Sequence, residues 1–132
     1  MEAGRGVMNP RPPRPDKGTT GPSRLVRAFG STFSGFRAAW REEEAFRQEC
    51  LFAVVAVPLG LWFGTNGIER ALLVGPVFFL LAIELVNSAV EATVDRVSLD
   101  DHNLAKRAKD LGSAAVMVAL ACTAAVWLLV LL

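Results

Sequence analysis

The residues best suited to chemistry in this 132-residue chain lie in one stretch, from Glu84 to Arg96. At about 100° per residue, Glu84, Asn87, Ser88, Glu91 and Asp95 share one helical face. They cover about 16 Å of helix axis. The other faces carry Leu85, Val86, Ala89, Val90, Ala92 and Val94, which suit lipid or a neighbouring helix. The stretch runs directly on from the apolar residues 74–82, so it reads as part of a membrane-crossing helix. A charged carboxylate at the bilayer centre costs roughly 2.5–3.5 kcal/mol on insertion scales, so these acids need a reason to be there. Three acids and an amide on one stripe suit a cation or a phosphate. A purely structural reading, with Glu84 and Glu91 pairing with cations across a helix contact, stays open.

The elements that must carry this stripe follow from composition. Apolar residues make up 52% of the chain, too many for an ordinary small soluble domain. Three spans are expected, at about 46–66, 70–95 and 109–131, near the roughly 20 residues that cross a ~30 Å hydrocarbon core. Pro58 is expected to kink the first. The fold class is therefore all-α integral membrane. Three helices cannot enclose a polar stripe of this length, so a closed homo-oligomer is expected around it. Cys50 and Cys122 fall near opposite ends of the bilayer, which makes a disulfide between them improbable.

Net charge is +1, a total that by itself says nothing about nucleic acid, and no nucleic-acid partner is expected. The distribution of charge says more. Nine Lys and Arg residues precede Cys50, Arg70 stands alone in the first turn, and Arg96, Lys106, Arg107 and Lys109 lie between the last two spans. By the positive-inside rule the N-terminus and the second connection are cytoplasmic and the C-terminus is outside. No cleavable signal peptide is expected.

Residues 1–22, rich in Gly, Pro and Arg, read as a disordered cytoplasmic tail preceding a domain over 23–132. Ser23 is expected to cap an amphipathic helix over about 24–41. Leu25, Val26, Phe29, Phe33, Phe36 and Trp40 line one face, flanked by Arg24, Arg27, Arg37 and Arg41, the composition of a membrane-surface helix. Gly30 and Gly35 are candidate bends. In the charged segment 41–49, Glu43 and Glu49 could face the bundle while Glu42 and Glu44 stay solvated, but spacing does not choose. Trp62 and Trp127 are placed for an interfacial belt. The connection over 98–110 holds Asp100, Asp101, the lone His102, Lys109 and Asp110. With no second His or Cys nearby, His102 is not expected to bind a transition metal.

No Walker-type loop, soluble-kinase signature or Ser–His pair is present. Phosphoryl transfer needs a divalent cation on the phosphates, positive charge for their oxygens and a group to position the acceptor hydroxyl. The acidic stripe, with Lys109 on the same side of the membrane as Asp95, could meet that need. A proton-coupled exporter of short subunits and a structural oligomer fit the same residues.

Four motifs together narrow the choice. They are Arg37-Ala38-Ala39-Trp40, then Glu43 with Ala45-Phe46-Arg47-Gln48-Glu49, then Glu84-x-x-Asn87-Ser88-Ala89-x-Glu91-x-x-x-Asp95-Arg96, and finally Arg107-Ala108-Lys109-Asp110-x-Gly112-Ser113-Ala114-Ala115. Over residues 22–132 the chain resembles the prokaryotic diacylglycerol kinase family, of the Gram-negative type. The resemblance implies a homotrimer of three-span subunits, each with an N-terminal amphipathic surface helix. It implies transfer of phosphate from ATP, with Mg²⁺, to diacylglycerol at the inner membrane, undecaprenol being the rival acceptor within the fold. By matched positions, Glu84 would be the base, and Glu43 and Glu91 would hold the metal on ATP, supported by Asn87 and Asp95. Asp100, Asp101, His102, Lys109 and Asp110 would contact the nucleotide. Arg24, Ala28, Phe33, Arg37, Trp40, Glu49, Trp62, Arg70, Glu84 and Ser113 would line the lipid site. The chain departs from the familiar pattern at Ser31 and Phe33, where Tyr and Trp are usual.

Overall fold

The computed structural model describes residues 21–97 and 102–132. Most of the expected N-terminal tail, residues 1–20, and the Asp100–Asp101 pair fall outside them. Four α-helices follow in order: α1 (Pro22–Glu42), α2 (Glu44–Phe63), α3 (Gly67–Val97) and α4 (His102–Leu131). Three of them, α2, α3 and α4, are long and apolar enough to cross a membrane. The chain divides into two units, residues 1–34 and 35–132.

In the first unit α1 opens one residue ahead of Ser23. Pro22 takes the first helical position, where its missing N–H is no loss, and the Arg24 N–H donates to the Gly21 carbonyl at 3.1 Å. Ser23 therefore lies inside the first turn rather than capping it. The helix runs unbroken through Gly30 and Gly35, because a helical backbone needs no special freedom at either. Leu25, Val26, Phe29 and Phe33 are exposed.

In the second unit α3 is the middle helix, packed on α2 and α4. Its buried residues, Leu73, Val77, Leu80, Glu84 and Asn87, alternate spacings of four and three, a single seam along one face. Against the apolar half of that seam α2 presents small residues, Ala53, Ala56 and Gly60, all buried. A Cβ on Gly60 would stand 3.0 Å from the Leu73 Cβ, so the two backbones approach closely, as helices in lipid do. Ala53, Ala56 and Val77 form the core, with Val57, Leu81 and Trp127 packed on it. Large apolar side chains such as Val54, Val55, Phe78, Phe79, Val86, Met117 and Leu129 stay exposed.

The α3–α4 pair is antiparallel and fastened by side chains on α4. The Trp127 indole N–H donates to the Leu73 carbonyl at 2.8 Å. The buried Thr123 hydroxyl lies 2.9 Å from the Ala119 carbonyl and 3.3 Å from that of Pro76. Trp62, at 83% exposed, suits the belt position, but Trp127 turns its polar edge inward. Hydrogen bonds between helices in lipid contribute about 0.6 kcal/mol on average and up to about 1.7. Trp127→Phe is expected to lower stability by about 1 kcal/mol, measured by denaturant titration in mixed micelles.

The turn at residues 64–66 is tightly stitched. Asn66 Oδ1 accepts from the Glu69 N–H at 3.0 Å, while Glu69 Oε2 accepts from both the Thr65 N–H and hydroxyl at 2.8 Å. Arg70 Nε donates to the Gly64 carbonyl at 3.0 Å. At the other connection, helix resumes at His102, earlier than a loop over 98–110 would allow. Leu, Ala, Lys and Arg dominate 104–109, and all are strong helix formers.

Candidate active site

The site grows from the polar end of the α3 seam. Glu84 is 4% exposed and Asn87 8%, deeper than any other carboxylate or amide among the described residues. Further along the same face Glu91 is half-buried and Asp95 exposed. The stripe thus runs from the core of the α2–α4 bundle to its surface. A single chain already buries its inner end, where the sequence suggests that three helices need neighbours to do so. For Asn87 the reason is Gly112 on α4. A Cβ there would overlap Asn87 Oδ1 and stand 3.2 Å from its Cγ, so only a bare helix surface admits the amide.

Two acids from the α1–α2 region join this group. Glu43 and Glu49 are half-buried while Glu42 and Glu44 are exposed, which settles the choice that spacing leaves open. Glu43 and Glu91 are electrostatic neighbours of Glu84, and Glu84 is one of Glu49. Asn87 Nδ2 reaches Glu91 Oε1 at a long 3.5 Å. Asn87 Oδ1, Glu49 Oε2 and Ser88 Oγ are buried with no hydrogen-bond partner, an uncommon state for buried polar atoms. Four carboxylates so arranged repel one another.

The cations stand at the outer end. Lys109 Nζ lies 2.5 Å from Asp95 Oδ1, with side chains 42% and 64% exposed, and Glu91 is its further electrostatic neighbour. An exposed pair of this kind is weak, so little holds Lys109 to Asp95. Asp110 is engaged by Lys106 at 2.7 Å. Among the described residues no three His, Cys, Asp or Glu side chains form a cage by themselves. The donors present are carboxylate oxygens with an unpaired amide oxygen beside them. That set fits Mg²⁺, which binds one or two carboxylates, keeps waters and takes its other ligands from substrate phosphate.

The expected site residues do not all gather here. Trp62 and Arg70 lie at the opposite end of the spans, Arg70 about 21 Å along α3 from Glu84. Arg37, Trp40 and Ser113 are exposed in the second unit, while Arg24, Ala28 and Phe33 belong to the first. His102 is the first residue of α4. Arg47, absent from the residues expected at the site, reaches back with its side chain to α1. Its signal in the sequence is a lone basic residue one turn after an acid at a helix break.

The three apolar spans define a small multi-pass membrane protein with carboxylates sunk in its core and a lysine at their rim. Similarity to known proteins narrows the class further. The sequence model of the prokaryotic diacylglycerol kinase family matches residues 30–131. The chain is 48% identical over 120 residues to a diacylglycerol kinase of Pseudomonas aeruginosa, covering 91% of this chain and 98% of that protein. It is 42% identical over 113 residues to a diacylglycerol kinase of Escherichia coli K12, covering 86% and 93%. With that of Haemophilus influenzae it shares 41% over 109 residues, 83% and 92% of the two chains. This chain belongs to the prokaryotic diacylglycerol kinase family.

Proposed function

We propose that the enzyme transfers the γ-phosphoryl group of ATP to the free hydroxyl of 1,2-diacylglycerol, giving phosphatidic acid and ADP. The observation that carries this is Glu84, buried at the end of the α3 seam with Glu43 and Glu91 as charged neighbours. Relatives named diacylglycerol kinase at 42–48% identity support the choice of reaction.

Glu84 takes the proton of the lipid hydroxyl as its oxygen bonds to phosphorus and the bond to ADP breaks. Its burial keeps water from competing for the phosphoryl group. Glu43 and Glu91 would hold Mg²⁺, with Asn87 steadying Glu91. Bound Mg²⁺ would neutralise charge on the transferring phosphate. Lys109 leaves Asp95 to bind phosphate oxygens and Asp110 borders the nucleotide, the role that the family resemblance also implies for Asp100, Asp101 and His102. Arg37, Trp40, Glu49 and Ser113 border the lipid headgroup region, and the family resemblance implies a part in lipid binding for Arg24, Ala28 and Phe33. Arg70, about 21 Å away along α3, and Trp62 at the same end of the spans would stand at the far end of the bound lipid.

The site faces the cytoplasm of the bacterial inner membrane, a placement supported by the Lys and Arg of the flanking segments. The apolar face of α1 lies on that membrane surface, and three chains assemble around the exposed outer end of the stripe, as the family resemblance implies.

Labelled ATP, offered with diacylglycerol or undecaprenol separately in mixed micelles, tests the reading. Label is expected in phosphatidic acid. Label only in the polyprenol would change the acceptor, and label in neither would overturn the kinase assignment. In the same assay Glu91→Ala or Glu43→Ala is expected to raise the Mg²⁺ needed for half-maximal rate by roughly tenfold or more. An unchanged Mg²⁺ dependence would remove both from the metal site.

A further inference from the structure

Glu43 is the single residue between α1 and α2, with extended backbone angles of φ −111° and ψ 107°. Its carboxylate makes no capping bond to α2 and is instead an electrostatic neighbour of Glu84. A residue that sits alone between two helices points wherever their ends are held. What holds them is therefore part of the site.

Arg47, one turn into α2, does most of this. Its Nη1 donates to the Trp40 carbonyl at 2.8 Å and to the Arg41 carbonyl at 3.3 Å. These belong to the last turn of α1, where carbonyls lack a helical donor. The guanidinium charge also sits at the negative end of that helix. The backbone remains bonded through the corner, Glu43 N–H to the Ala39 carbonyl at 2.9 Å and Arg47 N–H to that of Glu43 at 3.3 Å. A second brace is apolar: the Phe36 and Phe46 rings lie 6.4 Å apart, and Phe46 is buried. The aromatic pair brings the helices together. A single guanidinium nitrogen, Nη1, bridges two successive carbonyls and so ties the end of α1 to the first turn of α2.

We propose that Arg47 is a positioning residue for the cation and phosphate site, locking the α1–α2 corner so that the Glu43 carboxylate is aimed at Glu84. The proposal rests on Glu43 being a cation ligand, as inferred above.

The test uses the full chain in micelles, with Mn²⁺ and a non-hydrolysable ATP analogue as the probe. Bound Mn²⁺ is read by electron paramagnetic resonance, and amide exchange is followed over residues 39–47. Arg47→Met is expected to weaken Mn²⁺ binding roughly tenfold and to speed exchange at the corner. Arg47→Lys, whose ammonium ends one bond short of Nη1 and so meets the two carbonyls less closely, should fall between. In a Glu43→Gln background Arg47→Met should weaken Mn²⁺ no further, since both act through one ligand. Unchanged Mn²⁺ affinity in Arg47→Met overturns the proposal, as does an equal further loss in the Glu43→Gln background. If Arg47→Met does not assemble, Arg47→Lys decides, and wild-type affinity there overturns it. Wild-type protein that binds no Mn²⁺ at all would overturn the kinase reading and this proposal together. Loss confined to the variants separates the two.

Discussion

Glu84→Gln is expected to lower kcat by roughly 10³-fold while the protein still assembles and melts near the wild-type temperature. The loss follows from chemistry. Removing a general base takes away a factor of about 10²–10⁴, and the amide that replaces it cannot accept the hydroxyl proton. The stability expectation follows from packing and charge. Gln has nearly the shape of Glu, so the buried seam stays filled. It also removes one charge from a group where Glu43, Glu49 and Glu91 already crowd Glu84, so the fold loses repulsion rather than a salt bridge. Nucleotide binding should persist, because the residues assigned to it are untouched. Kinetics with labelled ATP, sedimentation and a thermal melt on one preparation check all three statements. Collapse of the assembly in Glu84→Gln would make the acid a structural fastening and remove it from catalysis.

Gly112→Ala should reduce kcat by roughly ten- to a hundredfold with a much smaller effect on stability. Its Cβ would overlap the Asn87 amide oxygen. Asn87 is nearly fully buried, so the amide must turn and give up its contact with Glu91. Misplacing a site group by about 1 Å can lower a rate about 10²-fold. The folding balance is closer to even. Overpacking costs about 1–3 kcal/mol, and Ala gains up to about 1 kcal/mol over Gly in helix propensity. The measurement is kcat and Mg²⁺ dependence beside the melting temperature. A variant with wild-type kcat and Mg²⁺ dependence would show that the Asn87–Gly112 contact does not set the site.

Both expectations turn on the same face of α3, and that face is legible in the order of residues. Glu84, Asn87, Glu91 and Asp95 align because helix pitch is a local property, identical wherever the backbone is α-helical. The three spans are legible for the same reason: hydropathy over about 20 residues sums local contributions. Family membership is legible in four short motifs. How deep each member of the stripe lies is not, because burial depends on what packs against it. Gly112 can be recognised as a small residue allowing close approach, but not as the partner of Asn87.

The corner at Glu43, the inward turn of Trp127 and the Lys109–Asp95 pair have no such local signal. Each joins residues whose relation is set by the register between helices, and register is fixed by many interlocking side chains at once. Trp127 carries an interfacial signature in sequence, yet a carbonyl on α3 within reach of its indole N–H holds it inward. Arg47 is one more charge in a charged turn until the end of α1 is placed beside it. Residue types and the face of α3 that they share are thus properties of the chain itself. Which of those residues meet depends on the packing of α3 against α4 and on the break between α1 and α2.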